Sequence, residues 1–339
     1  MVAQSVGLVL GSEIAPDEIR PMALEAETAG FGEIWLSEDC FFSGGISGAA
    51  IALGATERIP VGIGVVSAVT RHPAVLAMEL ATLDRAFPGR LMPAVGLGVP
   101  AWLGQMGLKP ASGLGAVRDC VTMLGTLLEG GTIQSNATFH AEDVRLVHAP
   151  KGSLPVQMGV AGPKMLQLSG EVSGGTLLSV LASVEYVRWA RAQIDEGRNR
   201  AGRSQVPHRI TTFALCAVDE DGPRAKAAAK KAVAFYLAAG GPNAITDAYG
   251  ISDELRALLA VGGPEHVERE MPGQWVEDLA VAGTAGECTA KVRALLDAGC
   301  DAVALFPTPA MNAPATVAAL AAHVLPHFAD PDENKEWAR

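Results

Sequence analysis

Cysteine, aromatic residues and positive charge are all scarce in this chain, and long apolar runs are missing. The five cysteines stand far apart, at Cys40, Cys120, Cys216, Cys288 and Cys300, and no two form a CxxC pair. That spacing argues against a disulfide framework or a zinc site and fits a reduced, cytoplasmic protein. Lys and Arg number 26 against 37 Asp and Glu, a net charge of −11. Such a balance argues against a nucleic-acid surface or an acidic membrane partner, while leaving room for a local phosphate site. No apolar run approaches bilayer length, and the opening MVAQSVGLVLGSE lacks the basic segment of a secretory signal. Aromatics make up only 5% of the residues although 49% are hydrophobic, so the core must come mainly from Ala, Val and Leu. Neither H-E-x-x-H, G-x-S-x-G nor a P-loop occurs, and no metal site is expected.

What is present is organised around residues 59–98, which read as strand, helix, strand. Residues 61–66 are a short apolar run rich in β-branched side chains, suited to a strand buried on both faces. Arg71-His72-Pro73 turns the chain, with proline tolerated at a helix start. Leu76, Leu80 and Leu83 then recur at helical spacing. Pro88-Gly89-Arg90 stops the helix, and residues 91–95 begin a second strand ending on Gly96-Leu97-Gly98. Two parallel strands joined by a helix open their loops at the carboxyl ends of the strands, where a ligand is expected.

The same alternation runs through the rest of the chain. Strands are expected at 5–10, 33–37, 156–159, 176–178, 210–218 and 302–306, with helices at 16–29, 49–55, 114–128, 162–169, 184–199 and 285–298. A long loop carries Trp102. Residues 130–148 break the rhythm and read as an inserted hairpin, and a helical insertion is expected over about 223–275, its last part from Val261 hard to assign. Eight alternations without a second core predict an α/β fold, a single (β/α)8 barrel with insertions spanning 1–339. A doubly wound sheet is the structural alternative, but Gly11 has no GxGxxG set behind it.

Several stretches can carry chemistry. Val160-Ala161-Gly162-Pro163-Lys164 follows a strand and opens a helix, where free backbone N–H groups attract phosphate and Lys164 adds charge. An ordinary glycine-proline turn with a surface lysine explains the residues equally well. Glu38-Asp39 ends the second strand, on the catalytic face of a barrel, where a carboxylate can exchange protons. A helix-capping acidic pair accounts for it as readily. Glu13, after the first strand, is a weaker candidate of the same kind. His72, locked between Arg71 and Pro73, is expected to hold the turn by hydrogen bonds. Cys40 lacks a partner histidine and is not taken as a nucleophile.

The ordered set of strand, RHP, helix, P-G-R and strand ending in G-x-G resembles the bacterial luciferase-like superfamily, most of all its coenzyme F420-dependent branch, which includes methylenetetrahydromethanopterin reductases. The resemblance extends over about residues 5–306. It implies a (β/α)8 barrel binding F420, or FMN, at the carboxyl end of the strands. It further implies cofactor phosphates at Val160, Ala161, Gly162, Pro163 and Lys164, and a bulge with a non-prolyl cis peptide at Gly64–Val65 backing the ring. Val66, Ser67, Gly96, Gly98 and Asp39 would complete the cofactor site, with Glu38, Asp39 and Glu13 as acid–base candidates. The implied activity is hydride transfer between the deazaflavin C5 and a small organic substrate. An FMN-dependent monooxygenase and a catalytically silent flavin or deazaflavin binder are the alternatives. Related sugar-phosphate dehydrogenases carry histidine where this chain has Asp39, which counts against that substrate. A homodimer is also implied, through first-unit helices rich in small residues such as Ala49, Ala50, Ala52 and Ala55.

Overall fold

The computed structural model describes residues 4–328. The chain begins with β1 (Ser5–Leu10), α1 (Ile19–Ala29) and β2 (Glu33–Leu36). Gly30 closes α1 in the left-handed conformation, as a helix-ending glycine does. Next come α2 (Gly45–Ala55), β3 (Val61–Ser67), α3 (Pro73–Ala86) and β4 (Leu91–Gly96). Two helices follow, α4 (Pro100–Gln105) and α5 (Gly113–Leu128), then the hairpin β5 (Thr132–Asn136) and β6 (His140–Arg145). The core alternation resumes with β7 (Gln157–Gly159), α6 (Pro163–Val172), β8 (Gly175–Leu178), α7 (Val184–Arg200) and β9 (Arg209–Val218). A helical insertion comprises α8 (Gly222–Gly240), α9 (Ala244–Tyr249), α10 (Ser252–Val261), α11 (Pro264–Glu270) and α12 (Gly273–Leu279). The described chain ends through β10 (Val281–Gly283), α13 (Ala285–Asp297), β11 (Ala302–Pro307) and α14 (Ala313–His323).

Eight strands pair in parallel in the order β9-β11-β1-β2-β3-β4-β7-β8, and β8 pairs back onto β9 to close the ring. This is the (β/α)8 barrel expected from the alternation. β10 is a ninth strand that joins only the last three residues of β9, outside the ring. The expected inserted hairpin is present, antiparallel and separate from the barrel sheet. Three local expectations are corrected. Trp102 lies on α4 rather than in an open loop, and α2 starts at Gly45 rather than Ala49. The stretch after Val261 that resisted assignment is two short helices, each entered next to a proline.

Side chains alternate along the strands, so every second residue points into the barrel. Glu33, Trp35, Arg209 and Phe213 lie on inward positions. The base of the barrel is closed by Glu33, which accepts hydrogen bonds from Trp35 Nε1 (2.8 Å), Ser5 Oγ (3.1 Å) and Arg209 Nη2 (2.5 Å). Above it the Trp35 ring fills the middle layer, edge-on to Phe213 with ring centres 5.7 Å apart. A Cβ on Gly62 would stand 2.3 Å from that ring, so only glycine leaves the indole its place. Leu, Val and Ala on the outer faces of the strands meet the helices, giving the continuous core expected of a chain poor in aromatics. Among the described residues no helix is long and apolar enough to cross a membrane, and all five cysteines are free.

Candidate functional site

A cavity of about 390 Å³ opens where the strands end in carbonyls. The plugged base leaves ligands only this end, as in barrel enzymes generally. Its floor and walls come from the ends of β2, β3, β4, β7, β8, β9 and β11, together with α4, α6 and α8.

One wall is the end of β3. The ladder with β4 slips between Ile63 and Val66, and the Gly64–Val65 peptide is cis. The bulge and the cis bond therefore stand where the resemblance implied them. Val65 lines the cavity and packs against β7 so closely that a Cβ on Gly159 would come within 2.2 Å of its Cγ1. Ser67 lines the same wall, its hydroxyl donating to Leu97 O at 2.7 Å. Gly96 and Gly98 border the cavity as well, whereas Val66 is buried behind it.

The two adjacent carboxylates at the end of β2 have different surroundings. Glu38 is held by Arg71 through two hydrogen bonds of 2.7 and 3.0 Å, and it accepts a third from Gly45 N at 3.0 Å. It pins the turn after β3 and the start of α2, and the pairing pushes the Arg71 pKa up. Among the described residues the Asp39 carboxylate takes a single hydrogen bond, from Ser12 Oγ at 2.5 Å, and remains on the cavity wall. Glu13 is exposed outside the lining; its charge, with that of Asp39, acts on Tyr236. Cys40 lines the cavity beside them, its thiol pKa pushed up by burial and by the charges of Glu38 and Asp39.

The Val160–Lys164 stretch divides. Val160 lines the cavity and Met165, in the first turn of α6, does too. Ala161, Gly162, Pro163 and Lys164 lie between them in sequence, outside the lining, with Pro163 and Lys164 exposed. No side chain caps α6 at Gly162, so its leading N–H groups are unclaimed by a capping residue. The loop is braced from behind by Tyr186, whose buried hydroxyl donates to Ala161 O at 2.9 Å.

His72 does what the turn required. Its Nδ1 accepts from Ala74 N at 3.2 Å to cap α3, and Nε2 lies 2.8 Å from His140 O in the hairpin. Sequence reasoning missed Phe213, Tyr236 and Phe306 on the cavity wall. Phe306 is the penultimate residue of the last barrel strand, a position that could have signalled it. Tyr236 comes from the helical insertion, where no motif marks it.

Comparison with known proteins agrees with the fold. The family model described as luciferase-like monooxygenase matches residues 2–302. The chain is 27% identical over 301 residues to a 5,10-methylenetetrahydromethanopterin reductase of Methanolobus tindarius, covering 86% of this chain and 92% of the relative. It is 27% identical over 207 residues to an F420-dependent glucose-6-phosphate dehydrogenase of Microbacterium testaceum, covering 57% of this chain and 62% of the relative. The coenzyme F420-dependent tetrahydromethanopterin reductase of Methanopyrus kandleri superposes with a TM-score of 0.84 at 24% identity, covering 96% of this chain and all of that one, a likeness of fold.

Proposed function

The chain belongs to the luciferase-like monooxygenase family, and on that footing we propose that it is a coenzyme F420-dependent oxidoreductase acting on a small organic substrate. The observation that carries this reading is the continuity between the cavity and the uncapped start of α6. Both Val160 and Met165 line the cavity, so a planar ring held there has a phosphate-binding helix end beside it. The names of the relatives support F420 over FMN. When bound, the deazaflavin supplies the hydride-carrying carbon C5. Val65, with Gly64, would back one face of the ring, with Gly96, Gly98 and Ser67 beside it. Leading N–H groups of α6 and the Lys164 ammonium would hold phosphate. Glu38 is committed to Arg71 and keeps the β2 and β3 ends in place, which leaves Asp39 as the carboxylate facing the reaction space.

Titration of the purified protein with F420 and with FMN tests the assignment. F420 should bind, and Lys164→Ala should weaken it by about 1–2 kcal/mol, the worth of a partly exposed charge-assisted contact. Gly162→Val should weaken it more. Nothing lies within 4 Å of a Cβ at Gly162, so the folded protein itself accepts the side chain and the loss reports crowding of the ligand. Tight FMN binding with none for F420 would overturn the cofactor and favour a monooxygenase. Unchanged affinity in both variants would move the phosphates elsewhere.

An isologous homodimer is part of the same proposal, with Ala50 and Ala55 of α2 half-buried at its surface. Ala49 and Ala52 are fully buried within the chain's own core. Beside them α1, α2 and α3 expose Leu24, Ile51, Val75 and Met78, an apolar set that a second copy would cover. Light scattering at micromolar concentration should give twice the 35.0 kDa of one chain, and a single-chain mass across dilution would refute the dimer.

A further inference from the structure

The cavity is lined by two carboxylates, Glu38 and Asp39, and by no Lys, Arg or His. Glu38 is matched by Arg71 at 2.7 Å, but Asp39 has only the Ser12 hydroxyl, so its negative charge is uncompensated at the wall. An anionic group brought against the Asp39 wall, away from the α6 end, meets repulsion and no ion-pairing side chain.

The hydroxyl donors are equally one-sided. Of the three tyrosines, Tyr186 donates to Ala161 O at 2.9 Å and Tyr249 to Asp278 Oδ2 at 2.7 Å. Tyr236, which lines the cavity from α8, has no hydrogen-bond partner among the described residues. Its ring stands edge-on to that of its neighbour Phe235, with ring centres 5.4 Å apart. Burial, together with the charges of Asp39 and Glu13, pushes its pKa up to about 12, so the phenol keeps its proton at working pH. A protonated donor without a partner beside a cavity selects a ligand that brings an acceptor. If the ligand lacked one, the phenol would be left unpaired on desolvation.

We propose that the substrate is an uncharged carbonyl or imine compound whose heteroatom accepts a hydrogen bond from Tyr236, and that the wall at Asp39 turns away phosphorylated and carboxylated analogues. Tyr236 is then a specificity-determining residue, supplied by the insertion rather than by the barrel. The choice of carbonyl or imine rests on the hydride-transfer reading above; the exclusion of anions and the Tyr236 contact do not.

The test uses cyclohexanone, its charged counterpart 4-oxocyclohexanecarboxylate, and methylenecyclohexane, which has the shape but no acceptor. Binding is read twice, on the protein alone by quenching of the cavity tryptophan, Trp102, and on the F420-loaded protein by cofactor fluorescence. Cyclohexanone should bind at least about tenfold more tightly than the carboxylate. Tyr236→Phe should weaken the ketone about tenfold, the loss of one hydrogen bond, while leaving methylenecyclohexane and F420 unchanged. Equal or tighter binding of the carboxylate, an equal effect of Tyr236→Phe on ketone and hydrocarbon, or no response to the ketone would each overturn the proposal. Failure of F420 to bind, with the probe pattern intact on the protein alone, would instead sink the cofactor assignment and leave the contact standing.

Discussion

Glu33→Ala should lower the free energy of unfolding by about 3–5 kcal/mol, the range for breaking a buried ion pair by removing one partner. Glu33 is 2% exposed at the base of the barrel. Three donors from three strands converge on it: Trp35 Nε1 on β2 itself, Ser5 Oγ at the start of β1, and the Arg209 guanidinium at the start of β9. Alanine leaves the indole N–H without an acceptor in a fully buried site and strips the arginine of its counter-charge. It also opens a void beside Gly7, where a Cβ would already approach Glu33 Cγ to 2.6 Å. Arg209 keeps some solvent contact, which places the effect toward the lower end of the range. Urea denaturation monitored by tryptophan fluorescence measures it. A loss below about 1 kcal/mol would mean that water replaces the carboxylate at no cost, as at an exposed pair.

The second large effect is a loss of stability in mild acid, traced to His208. Its Nε2 lies 2.8 Å from Thr176 Oγ1, within a chain of hydroxyls that continues through Ser169 to Ser173. Burial, and then the nearby Arg198 and Arg203, push its pKa from 6.5 down to about 4. Between those two values the unfolded chain takes up a proton that the folded chain refuses, so acid favours unfolding. The contribution is complete above pH 6.5 and is lost as the pH falls toward 4, reaching about 3 kcal/mol. Unfolding free energies at pH 7.5, 5.5 and 4.5 should therefore fall more steeply for the natural protein than for His208→Gln, which cannot titrate. Parallel curves for the two would remove His208 as the cause. The carboxylates shared by both proteins cancel in the comparison.

Much of the barrel was legible because its signals are local. Strands buried on both faces must be apolar, and helix starts and stops carry prolines, glycines and leucine spacing within a few residues. The RHP turn and the inserted hairpin are legible in this way. Short elements were not: α4 around Trp102 and the two helices after Val261 are too brief to show a period, and tertiary contacts decide them. The bulge and cis peptide at Gly64–Val65 leave no local mark, and only the family likeness pointed to them.

The site shows the same division. Sequence by itself determined the fold class, the end of the barrel where the cavity opens, the acidic pair after β2 and the glycine-led start of α6. Each follows from residue type and from position along one strand or helix. Only the tertiary structure decided that Arg71 claims Glu38 and leaves Asp39 on the wall, because the two partners lie 33 positions apart and meet through barrel closure. It alone brought Tyr236 from the insertion to the cavity beside Asp39. Hydrogen-bond pairing and desolvation depend on distances between remote segments, and a linear pattern contains no term for those distances.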